Sequence, residues 1–99
     1  MTARWFTCSG MLSEVYAERQ LPAEDVFHHE YFSAAAEYAE DFARRGRIEH
    51  GDEIEVSVHL RREDATSETE RTEVRVYPLK IRRVFSAEIA GEQRTEKRA

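Results

Sequence analysis

The residues best suited to metal binding or proton transfer are the neighbouring His28, His29 and Glu30. Adjacent side chains on a helix point ~100° apart, so the two histidines would not converge on one ion there. The HExxH zinc pattern, which places two histidines at positions i and i+4, is absent. We therefore expect no metal site and interpret these histidines as exposed or helix-capping residues. A metal or small-ligand site that also draws on His50 and Cys8 is the alternative.

Cys8 is the only cysteine, so an intramolecular disulfide cannot form. A nucleophilic cysteine needs a base and electropositive surroundings, whereas Cys8 follows the strand-forming residues Trp5 and Phe6. We expect it to be buried and structural. The sequence contains no GxSxG, P-loop, GxGxxG or CxxC motif. We therefore expect neither catalysis nor a cofactor.

Charge is divided unevenly along the chain, which carries a net charge of −5. Residues 1–55 contain 12 acids and 5 bases, whereas residues 56–99 contain 8 acids and 10 bases. Clustered acids favour a partner protein with a basic surface, because complementary charge steers encounter and specificity. A solvated face with internal salt bridges is the alternative. The residues predicted to bind the partner protein are Glu30, Glu37, Glu40, Asp41, Glu49, Asp52 and Glu53.

The second half of the chain carries the only basic region, with 7 bases and 3 acids from residue 74 onwards. Lys80 and Arg82 alternate with the apolar Leu79 and Ile81, which places the two bases on one face of a strand. Such a face can hold phosphates, or it can simply keep a strand edge soluble. The residues of this alternative nucleic-acid-binding surface are Arg61, Arg75, Lys80, Arg82 and Arg83.

One amphipathic helix is predicted over residues 33–45, because apolar residues recur at i, i+3, i+4 and i+7. Gly46 directly after this segment is typical of a C-terminal cap. Ser33 fits an N-cap. Residues 20–25 are predicted to form a connection. Pro22, followed by acids, also fits a helix start. The helix start therefore stays open between these two positions, with a slight preference for Pro22. The apolar stripe consists of Ala35, Tyr38, Ala39 and Phe42.

Strict alternation of apolar and polar residues makes residues 53–61 the clearest strand, with one face buried and one in water. Residues 4–16 are predicted as a first strand, with a bulge or a turn at Gly10. Residues 73–85 are predicted as a returning strand whose inward and outward faces exchange near Pro78. This exchange indicates a bulge or an edge position at Pro78, or a break between strands. The buried face of the clearest strand consists of Ile54, Val56, Val58 and Leu60.

These elements predict an α+β fold in which one amphipathic helix packs on one face of a three- or four-stranded antiparallel sheet. The predicted order is β-α-β-β, with a possible further strand at residues 86–89. Residues 62–72 are wholly polar apart from one alanine and are predicted to form a mobile hairpin loop. We expect a single domain over residues 1–90 and a disordered tail over residues 91–99. We also expect a two-fold homodimer as one way to bury surplus apolar sheet surface.

No segment approaches the ~20 apolar residues of a membrane span, and we expect a soluble, cytoplasmic protein without a membrane partner. In size, acidity and fold class the chain resembles the stand-alone inhibitors and regulators made by phages and mobile elements, including anti-CRISPR proteins. This resemblance implies a non-catalytic protein that acts by binding another protein through its acidic helix face or its sheet edge. A nucleic-acid-binding accessory protein is the alternative function.

Overall fold

In the computed structural model, which describes residues 2–13, 18–82 and 86–98, six strands and one long helix follow one another along the chain. The strands β1 to β6 are Arg4–Ser13, Glu18–His28, Glu53–Leu60, Glu73–Ile81, Ala87–Ile89 and Arg94–Lys97. The long helix α1 is Tyr31–Arg44, and a short helix α2 is Glu68–Thr72. Neither helix is long and apolar enough to cross a membrane, and the same holds throughout the described ranges.

The strands form one open antiparallel sheet in the order β2-β1-β3-β4-β5, and β6 continues beyond β5 along the same side of β4. Helix α1 covers one face of this sheet, and we call the opposite face, which carries Glu55, Ser57 and Lys80, the open face. The α+β class is confirmed, and so is the packing of one helix on an antiparallel sheet. The predicted count of three or four strands is too low, because β2 and β6 had been assigned to a connection and a tail.

Strand β2 is the largest correction. Residues 20–25 lie within this strand, so neither a connection nor a helix start at Pro22 is right. The pairing with β1 runs from Arg4↔His28 to Ser13↔Glu18, with a register shift between Cys8 and Gly10. Because β2 is an edge strand and the shift leaves an extra residue beside Pro22, the proline is tolerated at this point.

Gly10 lies next to this shift, where the sequence predicted a bulge or a turn. A Cβ atom at Gly10 would come within 2.8 Å of Ile54 Cδ1 and 3.1 Å of Tyr38 Cε1. Tyr38 in turn donates a hydrogen bond of 2.7 Å from its hydroxyl to the carbonyl of Pro22. The glycine therefore allows α1 to pack closely enough on β1 for Tyr38 to reach β2. Val15 and Tyr16, the end of the predicted first strand, lie outside the described residues.

Helix α1 begins at Tyr31, with Glu30 as its N-cap, rather than at Pro22 or after Ser33. Its end agrees with the sequence, because Gly46 adopts a φ of +76°. The Gly46 N–H donates to the Ala43 carbonyl at 3.0 Å and the Arg47 N–H donates to the Phe42 carbonyl at 2.9 Å. This pair of bonds is a Schellman cap. The predicted apolar stripe is buried, and so are the four predicted positions of β3 beneath it.

The predicted exchange of faces at Pro78 does not occur. Pairing between β3 and β4 is continuous from Glu53↔Lys80 to Val58↔Arg75. The Pro78 carbonyl accepts a hydrogen bond of 2.7 Å from the Ala90 N–H. Because the N and O atoms of one strand residue point to the same side, the missing N–H of Pro78 faces the gap between β5 and β6. The proline therefore interrupts only the edge ladder.

The C-terminal residues 94–97, predicted to belong to a disordered tail, form β6 and pair with residues 73–76. Arg94 reaches across β4 and donates to both carboxylate oxygens of Glu55, at 3.0 and 2.8 Å. These bonds hold the pKa of Glu55 below its ordinary value. Arg98 donates to the carbonyls of Leu60 and Glu70, at 2.6 and 3.0 Å. The segment is therefore bound to three other parts of the chain.

The polar segment 62–72 is also more ordered than predicted. It contains a 3₁₀ turn and α2. Ser67 caps α2, because its hydroxyl accepts a hydrogen bond of 3.2 Å from the Glu70 N–H. The Glu70 carboxylate accepts from the Thr66 N–H at 2.9 Å and from Arg4 at 3.1 Å. Side-chain hydrogen bonds, rather than a hydrophobic core, therefore hold this polar segment in its structure.

A candidate protein-binding groove at the sheet edge

Strand β2 ends the sheet, since β1 is its only partner among the described strands. The Arg61 N–H donates to the Trp5 carbonyl at 3.1 Å, so the main chain of Trp5 faces β3. By alternation, the main chains of Phe6 and Val26 face each other between β1 and β2. The N–H and C=O groups of Asp25 and Phe27 then point away from the sheet. Within the described ranges nothing bonds these four groups.

Two large aromatic side chains are exposed beside this free edge. Trp5 and Phe27 are cross-strand partners, and their ring centroids lie 5.1 Å apart. Trp5 is 41% exposed and Phe27 is 53% exposed. Exposed aromatic residues that are already held in place by one another are typical anchors of protein interfaces. The pair therefore marks the edge as a candidate contact surface.

A groove of about 420 Å³ runs between this edge and α1, and we call it the edge groove. Arg45 donates to both oxygens of Glu24, at 3.0 and 2.7 Å, and also pairs with Asp41. Glu37, which is exposed, has no cationic partner in the part of the chain that the structure describes. The lining residues are Trp5, Glu24, Asp25, Val26, Phe27, Glu37, Tyr38, Asp41 and Arg44.

Asp25 completes the rim on the open face of the sheet. Its carboxylate accepts a hydrogen bond of 2.8 Å from the Thr7 hydroxyl and lies 3.4 Å from Arg61. Arg61 and Arg45 pair with lining residues and are counted with them. The groove then carries four carboxylates and three guanidinium groups. The groove therefore has a small negative excess, and Glu37 is the carboxylate that supplies it.

The structure separates the predicted acidic residues into four places. Glu37 and Asp41 line the edge groove. Glu40 lies on the opposite side of α1, where its carboxylate accepts a hydrogen bond of 3.0 Å from the Ala87 N–H. Glu30 caps α1 and accepts a hydrogen bond of 2.9 Å from the Ser33 hydroxyl. The remaining three, at and after the turn that precedes β3, are Glu49, Asp52 and Glu53.

Four of the six acidic or exposed aromatic residues of the groove were absent from the predicted binding set. Glu24 and Asp25 had been assigned to a connection, and Phe27 to an extension of the helix. Trp5 was predicted to lie in a strand, but its cross-strand partner was not predicted. Leu21 and Val26 lie five positions apart, so no single period of two joins them, and the register shift beside Pro22 hides the alternation that could have revealed β2. The missed residues are Trp5, Glu24, Asp25 and Phe27.

The predicted basic residues do not form one continuous surface within the described ranges, because Arg75 faces the other side of the sheet and Arg61 lies far along it from Lys80. Arg75 lies on the α1 side of the sheet, with its guanidinium 3.9 Å from the centre of the Tyr31 ring. Lys80 lies on the open face, directly opposite Glu53 and Glu88 on the neighbouring strands. Arg82 pairs with Glu88 at 2.9 Å, and Arg61 pairs with Asp25. Arg83 lies outside the described residues.

Cys8 is fully buried on the α1 side of β1, as predicted. Burial raises the pKa of its thiol to about 12, so the nucleophilic thiolate is not formed near neutral pH. The rings of His28 and His29 lie 5.9 Å apart. Among residues 2–13, 18–82 and 86–98, no three histidine, cysteine or carboxylate side chains are grouped as metal ligands would be.

A second depression, of about 770 Å³, lies on the open face of the sheet. The charged groups that line it are Glu55 and Arg94, which pair with each other at 2.8 Å. Its other polar groups include Ser9, Gln20 and Ser57. Because its charges are satisfied internally, this depression has a weaker claim to a charged partner than the edge groove.

No family model, curated protein or solved structure matches the chain. Function is therefore inferred from the physical character of the edge groove. That character combines a fixed aromatic pair, one carboxylate without a cation and a row of free main-chain groups.

Proposed function

We propose that this protein is a non-catalytic interaction module that binds a basic segment of a partner protein in the edge groove. The observation that carries the proposal is Glu37, an exposed carboxylate that pairs with no base among the described residues, in the same groove as the exposed Trp5–Phe27 pair. A partner segment seated there directs a lysine or arginine side chain to the negative charge on the α1 side and an apolar side chain to the aromatic rings on the other side of the edge. The charge favours a basic partner, and the aromatic pair offers an apolar anchor.

The energetics of such a contact depend on a few residues. Aromatic anchors commonly supply much of the binding energy of an interface, while charges at its rim set the encounter rate and the choice of partner. Trp5 and Phe27 fit the first role. Glu37 and Asp41 fit the second, because they border the groove from α1. A partner that presents basic side chains next to apolar ones therefore suits the groove.

We further propose that binding inhibits or regulates the partner, in the manner of the small phage and mobile-element proteins that the chain resembles. The support is similarity in size, acidity and α+β class. Enzymes that act on nucleic acids have basic channels, and an acidic protein surface can occupy such a channel in place of the phosphate backbone.

Reversal of two charges tests the proposal. Replacing both Glu37 and Asp41 by lysine is expected to weaken partner binding about tenfold or more, because it gives the groove a positive excess. Arg45 keeps its contact with Glu24 in this variant, so the fold should be retained. Tagged protein is used to capture partners from a bacterial lysate. The captured protein is identified by mass spectrometry, and its Kd for each variant is measured.

The matched control replaces Glu68 and Glu92 by lysine, which changes the net charge equally on surfaces away from the groove. Both control residues are exposed. The control is expected to bind the partner nearly as the original protein does. If both double variants weaken binding equally, general charge rather than the edge groove is responsible. If the groove variant binds normally, the proposed surface is wrong.

A further inference from the structure

We infer that the partner enters as an extended strand that adds to the free edge of β2, and this inference rests on the proposed function. The N–H and C=O groups of Asp25 and Phe27 point away from the sheet, and the two residues are two positions apart. This spacing is the repeat of hydrogen-bonding groups along one side of an antiparallel strand. An added strand satisfies all four groups, whereas a helix or a folded loop does not.

The edge that can accept a strand is short. On one side, the register shift beside Pro22 interrupts the ladder, and the Pro22 carbonyl already accepts the Tyr38 hydroxyl. On the other side, β2 ends at His28 and α1 begins at Tyr31. About five residues, 24–28, therefore remain available. A short, charged and interrupted edge resists indiscriminate strand pairing, so recognition must come from the side chains of the added strand.

The two faces of the added strand meet different surroundings. On the α1 side it continues the row that contains Glu24 and Val26, beneath Glu37 and Asp41. On the open side it lies beside Phe27, whose ring contacts Trp5. Because side chains alternate along a strand, the partner segment should carry a lysine or arginine towards α1 and an apolar residue towards Phe27. The inferred ligand class is thus an extended segment of alternating basic and apolar residues.

A pair of substitutions at Asp25 separates main-chain pairing from charge. Asp25→Pro and Asp25→Ala both remove the carboxylate, but only proline also removes the outward N–H. Neither variant loses a main-chain hydrogen bond to β1, because the Asp25 main chain faces away from that strand, and both lose the bond from the Thr7 hydroxyl equally. The probe is an end-blocked heptapeptide of alternating lysine and valine. Binding is followed by the fluorescence of Trp5, the only tryptophan in the sequence and a residue of the groove.

The Asp25→Pro variant is expected to bind the heptapeptide about tenfold more weakly than Asp25→Ala, because the main-chain contacts on one side of the ladder are lost. The same heptapeptide with N-methylated valines should bind the original protein about tenfold more weakly as well. This second comparison decides the question if circular dichroism shows that the proline variant is unfolded.

Three results overturn the strand inference. One is equal affinity of the proline and alanine variants, together with equal affinity of both peptides. Another is no fluorescence change at millimolar heptapeptide. The third is a dimer in sedimentation that Asp25→Pro converts to a monomer, since the edge would then pair with a second copy. If the equal affinities are found while the Glu37 and Asp41 reversal still abolishes partner capture, the proposed function survives and only the strand mode fails.

Discussion

Replacing Phe42 by alanine is expected to lower the free energy of unfolding by about 3–5 kcal/mol, because it removes a buried ring and leaves a cavity. Phe42 is fully buried, and its ring centroid lies 4.8 Å from that of Tyr38. The Arg45 guanidinium lies 4.3 Å from the centre of the same ring. The loss therefore affects the core and two polar contacts between α1 and β2, the Tyr38 hydroxyl bond and the Arg45–Glu24 pair.

Urea denaturation followed by circular dichroism measures this change. The matched control is Phe32→Ala on the same helix, where the side chain is 37% exposed and the loss should be about half as large or less. Phe42→Leu, expected to cost about 1 kcal/mol, keeps the comparison possible if the alanine variant does not fold. An alanine variant that is as stable as the Phe32 control would contradict the position of α1 described here.

Removal of residues 91–99 is expected to lower the free energy of unfolding by about 2–4 kcal/mol, through lost ladder bonds and newly exposed apolar area. The deletion uncovers Val76, which is only 1% exposed and pairs with Arg94. It also removes the bonds from Arg98 to the carbonyls of Leu60 and Glu70. A disordered tail would contribute none of these contacts.

The control for this deletion is Arg94→Ala, which removes the exposed pair with Glu55 but keeps the strand. Its expected cost is at most about 1 kcal/mol, because exposed ion pairs contribute little. Thermal and urea unfolding of the two variants should therefore differ clearly. Identical unfolding of the truncated and full-length chains would show that β6 does not belong to the sheet.

The parts of the fold that were predictable are those in which one local pattern specifies both the element and its buried face. Alternation in Ile54 to Leu60 defines β3, and the stripe through Tyr38 and Phe42 defines the inner face of α1. Gly46 marks the helix end, because few other residues adopt its positive φ cheaply. In each case the neighbouring sequence alone determines the structure.

Strand β2 shows why the candidate site was only half predictable. Pro22 and the acids after it satisfy the local rules for a helix start, but pairing with β1 provides ladder bonds and buries Leu21. This tertiary gain outweighs the weak local preference. Because β2 supplies Glu24, Asp25 and Phe27, the groove could not be assembled from sequence. Only its α1 side, Glu37 and Asp41, was foreseen.

The C-terminal strand was missed for a related reason. Residues 94–97 have no apolar face and are exposed, so no periodicity identifies them. Their order comes from distant partners, such as Glu55 for Arg94 and Leu60 for Arg98. The contact of Glu40 is equally hidden in the sequence, since its partner, the Ala87 N–H, lies 47 positions away in the chain. Partners so remote in sequence become visible only in the folded molecule.

The most direct test of the edge groove is amide chemical-shift mapping of the isotope-labelled protein. It is titrated at low salt with the lysine–valine heptapeptide and, separately, with a single-stranded oligonucleotide. The peptide is predicted to shift the amides of Asp25, Phe27 and Glu37 and the indole of Trp5 most strongly, and the oligonucleotide to cause no comparable change. Oligonucleotide-induced shifts centred on Lys80 and Arg82, with the groove silent towards the peptide, would contradict the account and favour nucleic-acid binding.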